Sequence, residues 1–120
     1  MSNTLESLQD AAILLSQNGS VKERLADAYL AHLASLDAAQ LPENFRADFR
    51  AMCEAMRRER PLPRENPVRA SIRKMSNDEA SGYAALVIKL YAAVARGGYS
   101  APLARPPMLA PIVQLFAADA

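Results

Sequence analysis

The sequence predicts an all-α fold, a small bundle of four to five helices followed by a proline-rich apolar C-terminal arm. Apolar residues recur at intervals of three and four along most of the chain, and no segment alternates as a half-buried strand would. Two S-x-x-E capping boxes, Ser20–Glu23 and Ser76–Glu79, mark helix starts. We therefore expect the 120 residues to form a helical bundle domain in residues 1–98, with the arm in residues 99–120.

The first two helices are predicted from their apolar faces and from the stop between them. The face of the first helix consists of Leu5, Leu8, Ala12 and Leu15. Asn18-Gly19 ends this helix, because both residues tolerate the left-handed conformation that follows many helices. The second helix is capped by Ser20, and its predicted face consists of Val21, Leu25, Tyr29, His32 and Leu36.

The third and fourth helices are separated by prolines. Leu41-Pro42 opens the third helix, since the missing N–H of proline is harmless in a first turn. Its apolar stripe consists of Phe45, Phe49, Met52 and Met56, with Cys53 beside it. Pro61 and Pro63 force an extended connection, and Asn66-Pro67 then starts a short fourth helix. The apolar residues of that helix are Val68, Ile72 and Met75.

The fifth helix is the most apolar, and it ends at Gly97-Gly98. An apolar face this broad is typical of a central helix or of one shared with another subunit. It forms our candidate interaction surface, which consists of Tyr83, Leu86, Val87, Leu90, Tyr91 and Val94, together with Ile112, Leu115 and Phe116 of the arm.

The arm combines large apolar side chains with prolines. Its apolar residues include Leu103, Met108, Leu109, Ile112, Val113, Leu115 and Phe116, which are unfavourable in water. Pro102, Pro106, Pro107 and Pro111 prevent residues 101–111 from forming a continuous helix, whereas two helical turns can follow Pro111. The arm should therefore pack on its own bundle or on a second subunit. We favour the second subunit, and hence a homodimer.

Composition and charge indicate a soluble protein of a reducing compartment. The chain is 51% hydrophobic and 22% charged, with a net charge of +1. A single cysteine excludes an internal disulfide and a zinc site with paired thiolates. The opening sequence MSNTLESLQD lacks the pattern of a secretory signal, and the most apolar segment is too short to span a membrane. We expect a cytoplasmic protein of bacterial type, without membrane contact.

A basic stretch between the third and fourth helices supports an alternative function. It contains half of the Lys and Arg residues, namely Arg57, Arg58, Arg60, Arg64, Arg69, Arg73 and Lys74. These side chains could bind the phosphates of a nucleic acid. Three observations favour a solvated connection instead. A helix ends within the stretch, and no aromatic residue lies between Phe49 and Tyr83. Glu54 and Glu65 also lie four residues before Arg58 and Arg69, where each could form an ion pair.

Catalytic chemistry has little support in the sequence. His32 lies on a predicted apolar face, and Cys53 lies beside Met52, where a thiol usually behaves as a small buried hydrophobe. A hydrolase with Cys53 as nucleophile and His32 as base is the third interpretation, because nothing in the spacing brings the two together. No Glu-x-x-His motif is present, and we predict neither a metal nor a cofactor. The favoured function is a non-catalytic protein-interaction or assembly module, and an enzyme is less favoured.

Overall fold

All five predicted helices form in the computed structural model, which describes residues 3–97. The helices are α1 (Thr4–Leu15), α2 (Val21–Ala28), α3 (Glu43–Ala55), α4 (Pro67–Lys74) and α5 (Asn77–Ala95). A π-helical turn (Tyr29–Leu33) extends α2, and a short 3-10 helix (Ala38–Gln40) precedes α3. Residues 3–97 contain no strand, so the all-α prediction is confirmed. The predicted arm, including Ile112, Leu115 and Phe116, lies outside the described residues.

Local capping explains where the helices begin. The Ser20 hydroxyl accepts a hydrogen bond from the Glu23 N–H at 3.1 Å, and the Ser76 hydroxyl accepts one from the Glu79 N–H at 2.9 Å. Asn66 does the same for α4, since its side-chain oxygen accepts from a backbone N–H in the first turn. Each bond satisfies a donor that the helix leaves without a partner. The predicted capping sites are thus confirmed.

The second helix differs from its predicted face, because its last turn is wider than an α-turn. The Ala34 N–H donates to the Tyr29 carbonyl, five residues earlier, at 2.9 Å. This π-turn contains one more residue than an α-turn and rotates everything that follows. As a result Leu33 is fully buried at 0% exposure, whereas His32 and Leu36 are only partly buried.

Helix α5 lies at the centre of the packing, in contact with α1, α2 and α3. Its buried side is complemented by large side chains from the other helices. The largest fully buried apolar side chains outside α5 are Leu8, Leu25, Leu33, Leu41, Phe49, Met52 and Met56. The short α4 packs on α2, and its predicted apolar residues Val68, Ile72 and Met75 are buried. Within the described chain, no helix is both long enough and apolar enough to cross a membrane.

The proline-containing connection between α3 and α4 is held by two hydrogen bonds to side chains. The Ser71 hydroxyl, at 0% exposure, accepts from the Glu59 N–H at 3.0 Å. The Glu65 carboxylate accepts from the Leu62 N–H at 2.9 Å. Because prolines cannot donate backbone hydrogen bonds, these two contacts fix a segment that forms no helix of its own.

We predict that Ser71→Ala destabilises the protein by about 1 kcal/mol, because the Glu59 N–H loses its acceptor beside a buried site. Urea denaturation followed by circular dichroism measures the change. The matched control is Ser81→Ala at an exposed position of α5, for which we expect a change within about 0.5 kcal/mol. Equal effects of the two substitutions would contradict the structural role of the Ser71 hydroxyl.

Candidate functional site

A groove of about 450 Å³ lies on the surface between α3 and α5. Phe45, near the start of α3, and Lys89, in the second half of α5, both line it. Beyond the end of α3, Arg58 pairs with Glu79 in the first turn of α5. The two helices therefore run antiparallel. The residues that line this α3–α5 groove are Phe45, Asp48, Ala51, Glu79, Gly82, Tyr83, Leu86 and Lys89.

The groove exists because small residues face it from both helices. Ala51 of α3 and Gly82 of α5 contribute almost no side-chain volume. A Cβ atom built on Gly82 would meet nothing within 4 Å, so the space above this glycine is open. Phe45, Tyr83 and Leu86 stand around it and are each only partly buried. The result is an apolar depression with large side chains at its sides.

One end of the groove is fixed by a small polar network. The Arg58 guanidinium donates to the Glu79 carboxylate at 2.9 Å, and the Tyr83 hydroxyl donates to the same oxygen at 3.3 Å. Partial burial, followed by the negative charge of Glu79, raises the pKa of Tyr83 above its usual value. Beyond Tyr83 the depression continues for about 360 Å³ towards Ala55 and Arg58. Tyr83 therefore lines both depressions, and the hydrogen bond to Glu79 fixes the position of its ring.

The remaining charges of the groove are available to a ligand. Asp48 and Lys89 form no ion pair with any residue in the 3–97 range. Apolar walls with a few charged groups at the rim are typical of surfaces that bind apolar side chains. The lining contains neither histidine nor cysteine. The geometry therefore supports binding through shape and apolar contact.

The structure divides the predicted interaction surface. Tyr83 and Leu86 line the groove, and Tyr91 is partly buried elsewhere on α5. Val94 lines a second depression of about 560 Å³ near the start of α1. Val87 and Leu90, however, are fully buried at 0% exposure. They belong to the core cluster of buried residues.

Two apolar residues that are not fully buried, one on α3 and one on α5, were not among the predicted interaction residues. Phe45 was predicted only as part of the apolar stripe of α3, and it lines the groove. Ile88 on α5 is 44% exposed. The sequence signal that could have identified Ile88 was the breadth of the apolar face of α5, because a face this broad is typical of a central helix or of one shared with another subunit.

The seven cations of the basic stretch are all exposed, and three of them form ion pairs. The expected Glu54–Arg58 and Glu65–Arg69 pairs are not the ones observed. Arg58 pairs with Glu79, Arg69 with Asp27, and Arg73 with Glu65, at 2.9, 2.9 and 2.8 Å. Arg58 lies beyond the end of α3 and Glu65 lies before the start of α4. Helical i,i+4 geometry therefore applies to neither expected pair.

The first two cations of the basic stretch line different depressions. Arg58 lines the extension of the groove on one side of α3, whereas Arg57 lines a separate depression around Cys53. In the part of the chain that the structure describes, four of the seven cations have no carboxylate partner. They are Arg57, Arg60, Arg64 and Lys74. Three of the seven cations are thus neutralised by carboxylates within the described chain.

Cys53 lies in a depression of about 330 Å³ without the predicted histidine. Its neighbours there include Tyr29 and Arg57, whereas His32 does not line this space. Burial, followed by contact with the Cys53 thiol, raises the pKa of Tyr29 above its usual value of 10.0. The thiol is partly exposed and is therefore less buried than expected. Among residues 3–97, no group of three or more potential ligands could hold a metal ion.

The described residues define a small all-α domain with an apolar groove between two antiparallel helices. Comparisons with protein-family models, with curated proteins and with solved structures found no match. The evidence for function therefore comes from the surfaces of this chain.

We predict that Glu65→Gln destabilises the protein at neutral pH but not in strong acid. Hydrogen bonds from Arg73, and then from the Leu62 N–H, lower the pKa of Glu65 from 4.5 to about 2. A depressed pKa stabilises the folded state fully above the unfolded value, and this contribution is lost as pH falls from 4.5 to about 2. Urea denaturation at about pH 7, 4 and 2.5 measures the difference between the two proteins.

The control for this experiment is Glu54→Gln, which removes an exposed carboxylate that accepts no hydrogen bond within residues 3–97. The difference in the free energy of unfolding between Glu65→Gln and the unmodified protein should disappear across the acid range. The corresponding difference for Glu54→Gln should not change in this way. If the difference for Glu65→Gln stays constant with pH, the ionisation of Glu65 beside Arg73 contributes nothing to the stability of the protein.

We predict no specific nucleic-acid binding at micromolar concentration, because carboxylates already pair with three of the seven cations. Fluorescence anisotropy with short DNA and RNA at about 50 and 200 mM salt tests this expectation. A triple variant neutralises Arg60, Arg64 and Lys74, and a control variant neutralises the ion-paired Arg58, Arg69 and Arg73. Micromolar binding with a steep salt dependence, lost selectively in the first variant, would establish the nucleic-acid interpretation.

Proposed function

We propose that the protein is a non-catalytic protein-interaction or assembly module, whose α3–α5 groove receives apolar side chains of a protein partner. The observation that carries this proposal is the arrangement of Phe45, Tyr83 and Leu86, all partly exposed, around a groove of about 450 Å³. Partly exposed aromatic and aliphatic groups around a depression are the usual anchors of a protein interface.

The shape of the groove favours a peptide segment as its ligand. It runs along the two antiparallel helices α3 and α5 and continues past Tyr83 into the depression beside Arg58. A helix or an extended segment fits such an elongated surface and places its large side chains at regular intervals. The charges at the rim, Asp48 and Lys89, would then select the orientation of the segment.

We also propose that the protein acts as a homodimer in the cytoplasm. The groove and the 44%-exposed Ile88 leave apolar area on α5 that a second copy would cover. The single free cysteine is consistent with a reducing compartment. A different protein partner would use the same groove. The residues that line the groove are suited to a second copy and to a different protein alike.

The other two interpretations have weaker support. Four basic residues without carboxylate partners remain in favour of a nucleic-acid-binding accessory protein, and the salt titration tests them. The hydrolase interpretation needs Cys53 and His32 in one site, and the depression around Cys53 is lined without His32.

We predict that Gly82→Arg converts the dimer into a monomer without unfolding it. Nothing lies within 4 Å of a Cβ atom at this position, so the new side chain fills the groove without disturbing the core. Replacing a glycine inside an exposed helix should even stabilise the chain, by roughly 0.5–1 kcal/mol. Sedimentation equilibrium measures the association, and urea denaturation measures the stability.

Ser81→Arg is the matched control, because it introduces the same charge at the preceding exposed position, which does not line the groove. It should leave the dimer intact. A Gly82→Arg protein that dimerises as tightly as the unmodified chain would exclude the groove as the interface, and a monomeric unmodified protein would refute the homodimer.

A further inference from the structure

We infer that the α3–α5 groove is occupied by residues 112–116 from the arm of a second copy of this chain. Each site would then be incomplete without its partner, and two identical exchanges would close the dimer. This inference rests on the proposed function, since it names the partner of the same groove.

The sequence of the arm supplies the side chains that such a groove accommodates. Ile112, Leu115 and Phe116 share one side of the two helical turns that can follow Pro111. So short a helix is unstable alone and forms only when it packs on another surface. The groove offers Phe45, Tyr83 and Leu86 as that surface. Two large apolar side chains would fill it where Ala51 and Gly82 leave space.

Charge complementarity orients the segment. Lys89 stands at one end of the groove and has no carboxylate partner in residues 3–97. In the arm, Asp119 follows Phe116 by three residues and lies on the same side of a helix. Pairing Asp119 with Lys89 directs the segment from the Glu79 end of the groove to the Lys89 end. Its direction is therefore that of α5.

The intervening chain is long enough to carry the segment from one copy to the groove of another. Helix α5 ends near Gly97, which has the left-handed φ of 75°, and Gly82 lies about 22 Å back along the helix axis at ~1.5 Å per residue. Residues 98–111 contain four prolines, and such a spacer extends to about 43 Å at ~3.1 Å per residue. The extended spacer is about twice as long as this span, so it can leave its own bundle and reach a neighbouring copy.

Disulfide trapping in the full-length chain tests the inference. Two variants are made in a Cys53→Ala background, one with Gly82→Cys in the groove and one with Leu115→Cys in the arm. Because each protein then contains a single cysteine, a disulfide between the two variants can form only between different molecules. The variants are co-expressed and oxidised, and mass spectrometry of the intact protein identifies the products.

We expect the mixed disulfide dimer to exceed, by about tenfold, the one formed when Ser81→Cys replaces Gly82→Cys. A second measurement uses Phe116→Arg, which should weaken dimerisation about as strongly as Gly82→Arg. The variant with both Gly82→Arg and Phe116→Arg should dimerise no more weakly than either single variant, because both substitutions remove the same contact.

Two results would overturn the inference. A chain with both Gly82→Cys and Leu115→Cys that forms only an internal disulfide, with no mixed dimer from the single variants, would place the arm in its own groove. Equal trapping at positions 81 and 82 would show that the arm does not occupy the groove. In either case, the sedimentation of the Gly82→Arg protein still decides separately whether the groove mediates association.

Discussion

The structure depends on the burial of one side of α5. Val87 and Leu90 are completely removed from water, Ala80 and Ala93 are also buried, and α1 and α2 pack on this helix. Burying a valine or leucine side chain stabilises a fold by roughly 1.5–3 kcal/mol, so this seam contributes a large part of the net stability. Helix α3 also packs against α5. The α3–α5 groove lies where these two helices meet.

Helix α3 is tied to the bundle mainly at its two ends. Before it begins, Leu41 is fully buried, and the Arg46 guanidinium donates to the Leu41 carbonyl at 2.9 Å. After it ends, Arg58 is paired with Glu79 of α5. Between these anchors, Phe49 and Met52 fill the core, while Ala51 faces α5 without filling the intervening space. An apolar surface therefore remains between α3 and α5 on a chain whose core is buried.

The helices could be predicted from sequence because their signals are local. Ser20, Asn66 and Ser76 each bond to a backbone N–H within three residues, so the chain segment alone determines where these helices begin. The π-turn could not be predicted, since it arises where Leu33 has to reach the core. The pairs of Arg58 and Arg69 join residues 21 and 42 positions apart, which no local pattern reveals.

Only part of the candidate site could be predicted, because its shape depends on contacts between residues that are far apart in the sequence. The breadth of the apolar face of α5 indicated that part of it would remain uncovered, and Tyr83 and Leu86 were identified on that basis. Which part remains uncovered depends on the small residues Ala51 and Gly82, which meet only after α3 and α5 pack together. A pair of small residues on separate helices has no signature in the sequence.

The π-turn at the end of α2 has a consequence for how the chain tolerates changes in length. Removing one residue from an α-helix rotates all later residues by about 100° and exchanges buried for exposed positions. Here the helix already contains one residue more than a regular turn requires, and Ala31 within it is exposed. Deleting Ala31 would convert the wide turn into an ordinary one and leave Leu33 facing the core. The helix can therefore be shortened by one residue at this turn, whereas elsewhere a deletion would disrupt its packing.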